Sequence, residues 1–517
     1  MTTTLSRFSQ HWWILSALSF VVVCLFFKDF GVAWDDPLQA QYGELLVAYY
    51  ASMGTDDRFM SLADLRYYGG AFEIVAQLAA QFSPWSPYET RRLLGGLVGA
   101  LGVLGCGALG SLIGGRGIAW LSATFLATWP VWVGHAFINS KDVPFAAAYV
   151  WAVYFLTRIA KDDRVRPAHH AGFAVAAGLA MGIRVFGLFL LGLYACLLAR
   201  AALQTIRAGS APVARKLLTQ ALAFGLAGTG SWLLMMLGWP WTHGGPIERP
   251  FEAARLMTRF PRPMEILFDG QVMVTTRLPW SYAPTWLAAT LSPLVVILLL
   301  ILVPLLLLRL KKRPQVPSAA AAILLVCGSL PLLAAVTGRV VLYDGIRQLL
   351  FIGPLLMVAA AWSAVELLKN LASTRTRLLA VAAGVILSLD PVAGLVRLHP
   401  YQYIYFNQLV GGLKGAAGRF ETDYWGLGLR EAAEWVNQNQ LLLKSRGGLK
   451  VFIPHNCGEP TSAGAYLDPR VRLTDNNLAG DYVLAPTRFG CDKSFNGTAV
   501  FTVRREGVPL VVVKMME

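Results

Sequence analysis

The sequence predicts an all-α polytopic membrane protein with about eleven transmembrane helices and a small α/β domain at the C-terminus. Of its 517 residues, 56% are hydrophobic and only 15% are charged, whereas charged residues make up about a quarter of soluble domains. Apolar runs long enough to cross roughly 30 Å of hydrocarbon recur until residue 398. Beyond that point the composition becomes polar, which separates a membrane domain (1–398) from a C-terminal domain (399–517).

The predicted membrane part consists of crossings and half-crossings. The first apolar run leads to no small-residue cleavage site, so we expect a retained anchor. The run 173–198 exceeds one crossing and has basic loops on both sides, which predicts two short helices that meet near Arg184. The stretch 70–82 is interpreted as an interfacial helix, since another crossing would invert every later loop. The eleven predicted starts lie near Trp12, Leu93, Ile118, Val143, Phe173, Val185, Leu217, Trp286, Ala319, Leu349 and Leu378.

The distribution of basic residues predicts the orientation. The net charge of +15 would permit nucleic-acid binding, but Lys and Arg lie at the ends of apolar runs rather than on one soluble module, so we expect no nucleic-acid partner. Arg and Lys in short loops are retained in the cytoplasm. The basic segments 158–166, 200–216, 309–313 and 369–377 therefore predict a cytoplasmic N-terminus, with the loop 28–92 and the C-terminal domain outside.

The C-terminal domain is predicted to combine a helix with short strands. A helical apolar rhythm covers 429–441, and β-type runs occupy 449–454, 482–486 and 499–503. Cys457 and Cys491 are the two cysteines of this polar region. They are either free or joined in a disulfide, and a disulfide would place the domain in an oxidising compartment.

Two acidic turns on the predicted outer side are candidates for chemistry. Asp35 and Asp36 precede Pro37 directly after the first apolar run, and Asp142 lies in the short turn 139–144. Each is also a normal helix start, with acids at the positive dipole end and proline in the first turn. Their common side of the membrane favours a shared site.

A third outer turn contains Tyr343, Asp344 and Arg347 between two apolar runs. Arg347 and Arg184 lie beside or within predicted spans, where a charge is costly unless it has a partner. Phosphate is one such partner, because the planar guanidinium pairs two oxygens at once. The alternatives are pairing with Asp344 or Asp142, or extension of the side chain to the interface.

Cofactor and metal signatures are lacking in the sequence. The seven His are scattered, no CxxC pair occurs, and no GxxxxGK[ST] loop is present. We therefore expect no metal and no cofactor, and an activated substrate must supply the energy.

Four segments of the chain resemble known motifs. They are Asp35-Asp36-Pro37 with Tyr42-Gly43-Glu44, the turn 139–144, Leu278-Pro279-Trp280-Ser281-Tyr282, and the turn that begins at Tyr343. Together they resemble the protein O-mannosyltransferase and aminoarabinose-transferase branch of the C-type (GT-C) glycosyltransferases, which use dolichyl- or undecaprenyl-phosphate sugars. Asp36 stands where many relatives have Glu. The stretch 399–425 resembles a subgroup of uncharacterised bacterial relatives.

The resemblance implies an inverting hexosyl or pentosyl transfer from a polyprenyl-phosphate carrier to a lipid, glycan or protein acceptor, at the outer face of a bacterial inner membrane. Asp35 would be the general base, Asp142 would position the acceptor or the sugar, and Asp36 is a further catalytic candidate. The groups implied for the carrier phosphate are Arg347, Arg184, Arg66, Lys141, Tyr343 and Asp344.

Two other functions are compatible with the sequence. A transporter or lipid flippase would also use paired helices near Arg184, but the halves show no obvious inverted duplication and the charges cluster in outer loops. A non-catalytic scaffold with an outer sensor domain would tolerate replacement of Asp35 and Arg347.

Overall fold

The computed structural model describes residues 11–162, 164–209, 213–258, 263–312, 318–337, 340–439, 449–476 and 479–516. Within these residues, 8 helices are long and apolar enough to cross a membrane. The prediction of a polytopic membrane protein is confirmed. The eight are Pro87–Gly114, Asp142–Lys161, Val185–Ala208, Val213–Gly238, Pro293–Lys311, Ala319–Thr337, Arg347–Asn370 and Thr374–Arg397.

The remaining predicted crossings correspond to shorter or bent helices. Arg116–Ala127 and Pro130–Ile138 form a pair bent by 61°, because Pro130 cannot continue the preceding helix. Ile14–Phe26 has 13 residues and Pro167–Met181 has 15. The count of about eleven therefore included half-crossings, and each predicted start lies in or next to an observed helix.

The predicted break near Arg184 is present. Pro167–Met181 ends there, Arg184 has an extended backbone, and a single 3₁₀ turn at Val185–Gly187 leads into the next helix. The prediction that both helices are short is wrong for the second, Leu188–Ala208, which has 21 residues. Its apolar sequence continues past residue 198, and it ends at the left-handed Gly209 (φ 58°).

The segment that links Ile14–Phe26 to Pro87–Gly114 packs onto this break. It contains the helices Asp36–Ala51 and Ala71–Phe82, and Gly182 accepts a hydrogen bond from Ala71 N at 3.0 Å. A Cβ on Gly69 would lie 2.0 Å from the Gly182 carbonyl oxygen, so the approach requires glycine. The loop thereby places its polar residues next to Arg184.

The C-terminal region contains five strands, which are β3 Leu449–Phe452, β4 Val471–Thr474, β5 Tyr482–Pro486, β6 Thr498–Arg505 and β7 Val508–Met515. They form one sheet of order β4-β3-β5-β7-β6. The β3–β4 and β3–β5 pairs are parallel, and β5–β7 and β6–β7 are antiparallel. The predicted helix is Gly428–Asn439, and residues 440 and 441 of the prediction lie outside the described residues.

A small hairpin between the helices Glu248–Thr258 and Tyr282–Thr290 was not predicted. β1 (Glu265–Phe268) pairs antiparallel with β2 (Gln271–Val274). The turn is Asp269-Gly270, with φ of 48° and 80°, which is a typical hairpin turn sequence. The remaining helices are Glu248–Thr258, Tyr282–Thr290, Gly412–Ala416, Pro460–Gly464 and Cys491–Ser494.

The segment that joins the sheet to the last membrane helix is fixed to the membrane domain. Asn407 Nδ2 donates to the carbonyl oxygens of Ala288 at 2.6 Å and Leu291 at 2.7 Å. Trp34 N donates to Trp425 O at 2.9 Å. The C-terminal residues therefore lie against the loop that contains Asp35.

Candidate active site

Arg347 lies at the centre of the predicted site, at the start of a 3₁₀ turn that leads into Gly353–Asn370. Its Nη1 is 3.7 Å from Asp35 Oδ2 and 3.9 Å from Asp142 Oδ2, and its Nη2 is 3.1 Å from Asp344 Oδ2. The three carboxylates come from three turns that are far apart in the sequence. One guanidinium thus joins all three predicted acidic turns.

Aromatic rings shield the guanidinium from water. Its Cζ lies 4.5 Å from the centre of the Tyr343 ring and 5.0 Å from that of Trp425, distances at which the ring faces attract a cation. The Arg347 side chain is only 7% exposed, and its buried Nε has no hydrogen-bond partner among the described residues. The guanidinium therefore lies in a site of low dielectric, where its charge acts strongly on neighbouring groups.

Asp142 is held by several partners. Its side chain is 2% exposed, forms an ion pair with Arg184, and accepts a hydrogen bond from Asn139 Nδ2 at 2.7 Å. Asn139 Nδ2 also lies 3.1 Å from His135 Nδ1, and His135 Nε2 lies 3.0 Å from Tyr424 OH. This network fixes the orientation of the carboxylate and leaves Asp142 little freedom to accept a proton from a substrate.

Asp35 has a different environment. It is the residue before the helix Asp36–Ala51, and its carboxylate is 37% exposed. Asp344, by comparison, is 9% exposed. Asp35 is thus the most accessible of the three carboxylates around Arg347.

Asp36 points elsewhere. Its Oδ2 accepts a hydrogen bond from Ala33 N at 2.9 Å, and it lies in the fields of Arg91, Arg92 and Glu73. Burial raises the pKa of Asp36 to about 6, against the opposing effect of the two arginines. The structure gives Asp36 a buried position that stabilises the start of its helix.

Arg66 also makes contacts outside the cluster. It donates to Met60 O at 3.2 Å and to Tyr67 OH at 3.0 Å within its own loop. Lys141 is nearer the site, with Nζ 4.6 Å from the centre of the Tyr68 ring. Burial lowers the pKa of Lys141, while Asp35 acts in the opposite direction. The sequence analysis did not identify Tyr68, although the tyrosine pair at 67–68 is a visible feature of this loop.

Two residues of the C-terminal region complete the cluster and were not predicted. Arg488 Nη2 lies 2.5 Å from Asp344 Oδ1, and its Nε is 3.6 Å from Glu421 Oε1. Burial and Asp344 raise the pKa of Glu421 to about 8, although Arg488 and Arg347 oppose this. With Glu421 protonated, the charged carboxylates of the cluster are those of Asp35, Asp142 and Asp344. They face three guanidiniums, those of Arg184, Arg347 and Arg488, so the cluster carries no excess negative charge.

The stability of the protein should therefore depend on Glu421 above pH 5. Between the ordinary pKa of 4.5 and about 8, the folded protein holds a proton that the unfolded chain releases. Stability consequently falls as pH rises through this window and levels off above it. We expect the thermal stability of Glu421→Gln, followed by thermal unfolding from pH 5 to 9, to fall less with rising pH than that of the wild type. Glu252→Gln, at an exposed position, is the control; equal slopes in both variants would contradict the assignment.

Two further predicted features lie in the structure as follows. Cys457 and Cys491 form a disulfide, with Cα atoms 6.4 Å apart. In the motif 278–282, Tyr282 OH donates to Gly345 O at 3.3 Å, next to the turn that contains Arg347, whereas Trp280 is 72% exposed. The motif thus contacts the turn that contains Arg347 through Tyr282.

Comparisons with known proteins establish the fold. No protein-family model and no curated protein matches the sequence. Among solved structures, ArnT from Cupriavidus metallidurans is similar in its apo state (12% identity, TM-score 0.49) and bound to undecaprenyl phosphate (14%, 0.49), each over 97% of both chains. The archaeal oligosaccharyltransferase AglB from Archaeoglobus fulgidus, in complex with an inhibitory peptide and a dolichol-phosphate, matches 93% of this chain and 70% of its own (12%, 0.50). The chain therefore has the fold of the C-type glycosyltransferases.

Proposed function

We propose that the protein transfers a sugar from a polyprenyl-phosphate carrier to an acceptor, with inversion at the anomeric carbon. The observation that carries the proposal is the Arg347 cluster, in which Nη1 of a shielded guanidinium lies 3.7 Å from the partly exposed carboxylate of Asp35. A cation for the departing phosphate and a general base for the acceptor are the two groups that such a transfer requires from the protein. The fold shared with AglB, whose structure contains a dolichol-phosphate, supports this assignment.

Asp35 is proposed as the general base. It takes the proton from the acceptor hydroxyl or amine while the acceptor oxygen or nitrogen bonds to the anomeric carbon. The bond from that carbon to the phosphate oxygen breaks, and its electron pair leaves with the polyprenyl phosphate. Asp142, fixed by Arg184 and Asn139, positions the acceptor or the sugar.

Arg347 is proposed to stabilise the phosphate as its negative charge increases. Arg184 and Lys141 add positive charge, and Tyr343 and Asp344 hold the Arg347 side chain from two sides. Arg66 and Asp36 are assigned to loop structure rather than to the reaction, because their contacts lie elsewhere. Protein cations can neutralise a monophosphate, so we expect activity to persist in EDTA.

The site is proposed to face the extracytoplasmic side of a bacterial inner membrane, with the N-terminus in the cytoplasm. The proposal is supported by two long apolar helices that begin at Asp142 and Arg347 and have the basic residues Lys161 and Lys369 in their last turns. We propose that residues 399–517 form an extracytoplasmic cap over the membrane domain.

The test is a donor screen. Purified protein is incubated with short-chain polyprenyl-phosphate sugars, both hexoses and pentoses, and candidate lipid, glycan and peptide acceptors. We expect release of free polyprenyl phosphate with one donor class. Turnover that is unchanged by replacing both Asp35 and Arg347 would refute this site, and transport of an unmodified lipid-linked sugar would favour the flippase alternative.

A further inference from the structure

Arg488 extends from the C-terminal sheet to the proposed active site. It follows β5 and its side chain is only 7% exposed. One oxygen of the Asp344 carboxylate lies 2.5 Å from Arg488 Nη2, and the other lies 3.1 Å from Arg347 Nη2. A single carboxylate therefore links the guanidinium of the C-terminal domain to the guanidinium of the site.

Arg488 also contacts the other side of the site. Its Nη1 donates to Tyr424 O at 2.8 Å, and Tyr424 OH in turn contacts His135 of the Asp142 network. Its Cζ lies 5.3 Å from the centre of the Trp34 ring, and Trp34 directly precedes Asp35. The Arg488 side chain thus contacts residues that adjoin Asp35, the Asp142 network and Arg347.

The backbone that presents Arg488 is bonded on its N-terminal side, where Thr487 N donates to Leu510 O at 2.9 Å and Gly490 N donates to Thr487 O at 3.1 Å. Phe489 and Gly490 have φ of 56° and 68°, and the left-handed region is unfavourable for a bulky residue such as phenylalanine. Phe489 is 47% exposed, and its ring centre lies 4.6 Å from Arg488 Cζ. The next residue, Cys491, is bonded to Cys457, and both are buried. The disulfide therefore anchors the end of this turn to the segment that follows β3.

We propose, on the basis of the proposed transferase function, that Arg488 is a positioning residue for Arg347 and that the Cys457–Cys491 disulfide holds it there. Reduction by a dithiol breaks the S–S bond to two thiols, while the dithiol loses two electrons and two protons and becomes a disulfide. The turn then relaxes, Asp344 loses its partner on the C-terminal side, and Arg347 is no longer fixed on that side. Full activity therefore requires the oxidised C-terminal domain.

The first measurement is independent of catalysis. Hydrogen–deuterium exchange is followed in peptides covering the turn that contains Asp344 and Arg347, in the full-length protein without substrate. We expect faster exchange there, by about threefold or more, in Arg488→Gln, in the Cys457→Ser/Cys491→Ser variant and in dithiothreitol-treated wild type. Arg470→Gln is the matched control, since this arginine of the same domain pairs with Asp468 and is 69% exposed. Unchanged exchange in the turn overturns the proposal.

The second measurement uses polyprenyl-phosphate release. We expect kcat to fall by about 10- to 100-fold in Arg488→Gln, with partial recovery in Arg488→Lys, which retains a cation for Asp344. Dithiothreitol should lower the activity of wild type but not of the double cysteine variant, because the other described cysteines are free thiols. A role in folding alone would lower the yield of active protein without this redox difference.

The two measurements separate the hypotheses. If wild type uses no donor, the transferase proposal fails, and the exchange data still decide whether Arg488 and the disulfide order the Arg347 turn. If wild type is active and Arg488→Gln equals it, the transferase stands and the positioning role is refuted. If the double cysteine variant does not fold, Arg488→Gln and reduced wild type give the answer.

Discussion

Asp35→Asn is expected to lower kcat by about 10³-fold, the contribution typical of a positioned general base. Asparagine has nearly the same shape as aspartate, but its amide cannot take the proton from the attacking hydroxyl or amine. The attack on the anomeric carbon then proceeds without a general base. Binding of the donor should change little, because the Arg347 cluster is intact. The measurement is initial-rate release of polyprenyl phosphate at saturating donor.

The fold should survive this change. Asp35 is 37% exposed and its carboxylate lies 3.7 Å from Arg347 Nη1. The substitution therefore removes an ion pair that contributes little to the free energy of unfolding. Asp57→Asn, at an exposed position of the same outer loop, is the control and should retain full activity. Wild-type rates in Asp35→Asn would show that another group is the base.

Asp142→Asn gives a contrasting pattern. Its carboxylate is 2% exposed and paired with Arg184, whose side chain is 20% exposed, so the substitution leaves a largely shielded guanidinium without its counter-charge. Loss of one partner of a buried pair is strongly destabilising, by about 3–5 kcal/mol. Lower thermal stability together with lower activity is therefore expected for Asp142→Asn, whereas Asp35→Asn should lose activity alone.

Local sequence signals predicted the membrane helices and the acidic turns. The break at Arg184 was predictable because the apolar run was too long for one crossing and had basic residues on both sides. The turns with Asp35, Asp142 and Arg347 were identifiable because charges directly beside apolar runs require partners. The structure places all three turns in contact.

The contribution of the C-terminal domain was not predictable from local patterns. Arg488 is 144 residues from Asp344 in sequence, and neither the strand pattern nor the charge of its segment shows which turn it contacts. Glu421 lies in a stretch without periodicity, and its raised pKa comes from burial that only the assembled fold creates. Asp36 was a candidate because Asp35-Asp36-Pro37 resembles a family motif, yet consecutive residues at a helix start point in different directions.

Arg347→Ala is expected to lower kcat/KM by about 10²- to 10³-fold, because in the proposed mechanism it removes the donors that stabilise the leaving phosphate. Arg347→Lys should recover only part of this loss. A lysine supplies one point charge, whereas the guanidinium donates to two phosphate oxygens in a fixed plane. Release of polyprenyl phosphate over a range of donor concentrations measures the effect.

The protein should tolerate this change because the buried acids keep other partners. Asp344 retains Arg488 and Asp142 retains Arg184, so neither carboxylate is left without a cation. Arg419→Ala is the matched control, since this arginine forms an exposed pair with Asp269. A folded Arg347→Ala variant with wild-type kcat/KM would exclude Arg347 from phosphate stabilisation.

Binding of free polyprenyl phosphate then separates the two roles. Arg347 contacts the phosphate in the proposed mechanism, so its removal should raise the Kd of this product by about 10-fold or more, the size of one lost charge-assisted hydrogen bond. Asp35 acts on the acceptor, and removing its negative charge should leave that Kd unchanged or slightly lower. Equal weakening of product binding in both variants would mean that Asp35 serves mainly to orient Arg347, and the base would have to be sought among the other acids of the cluster.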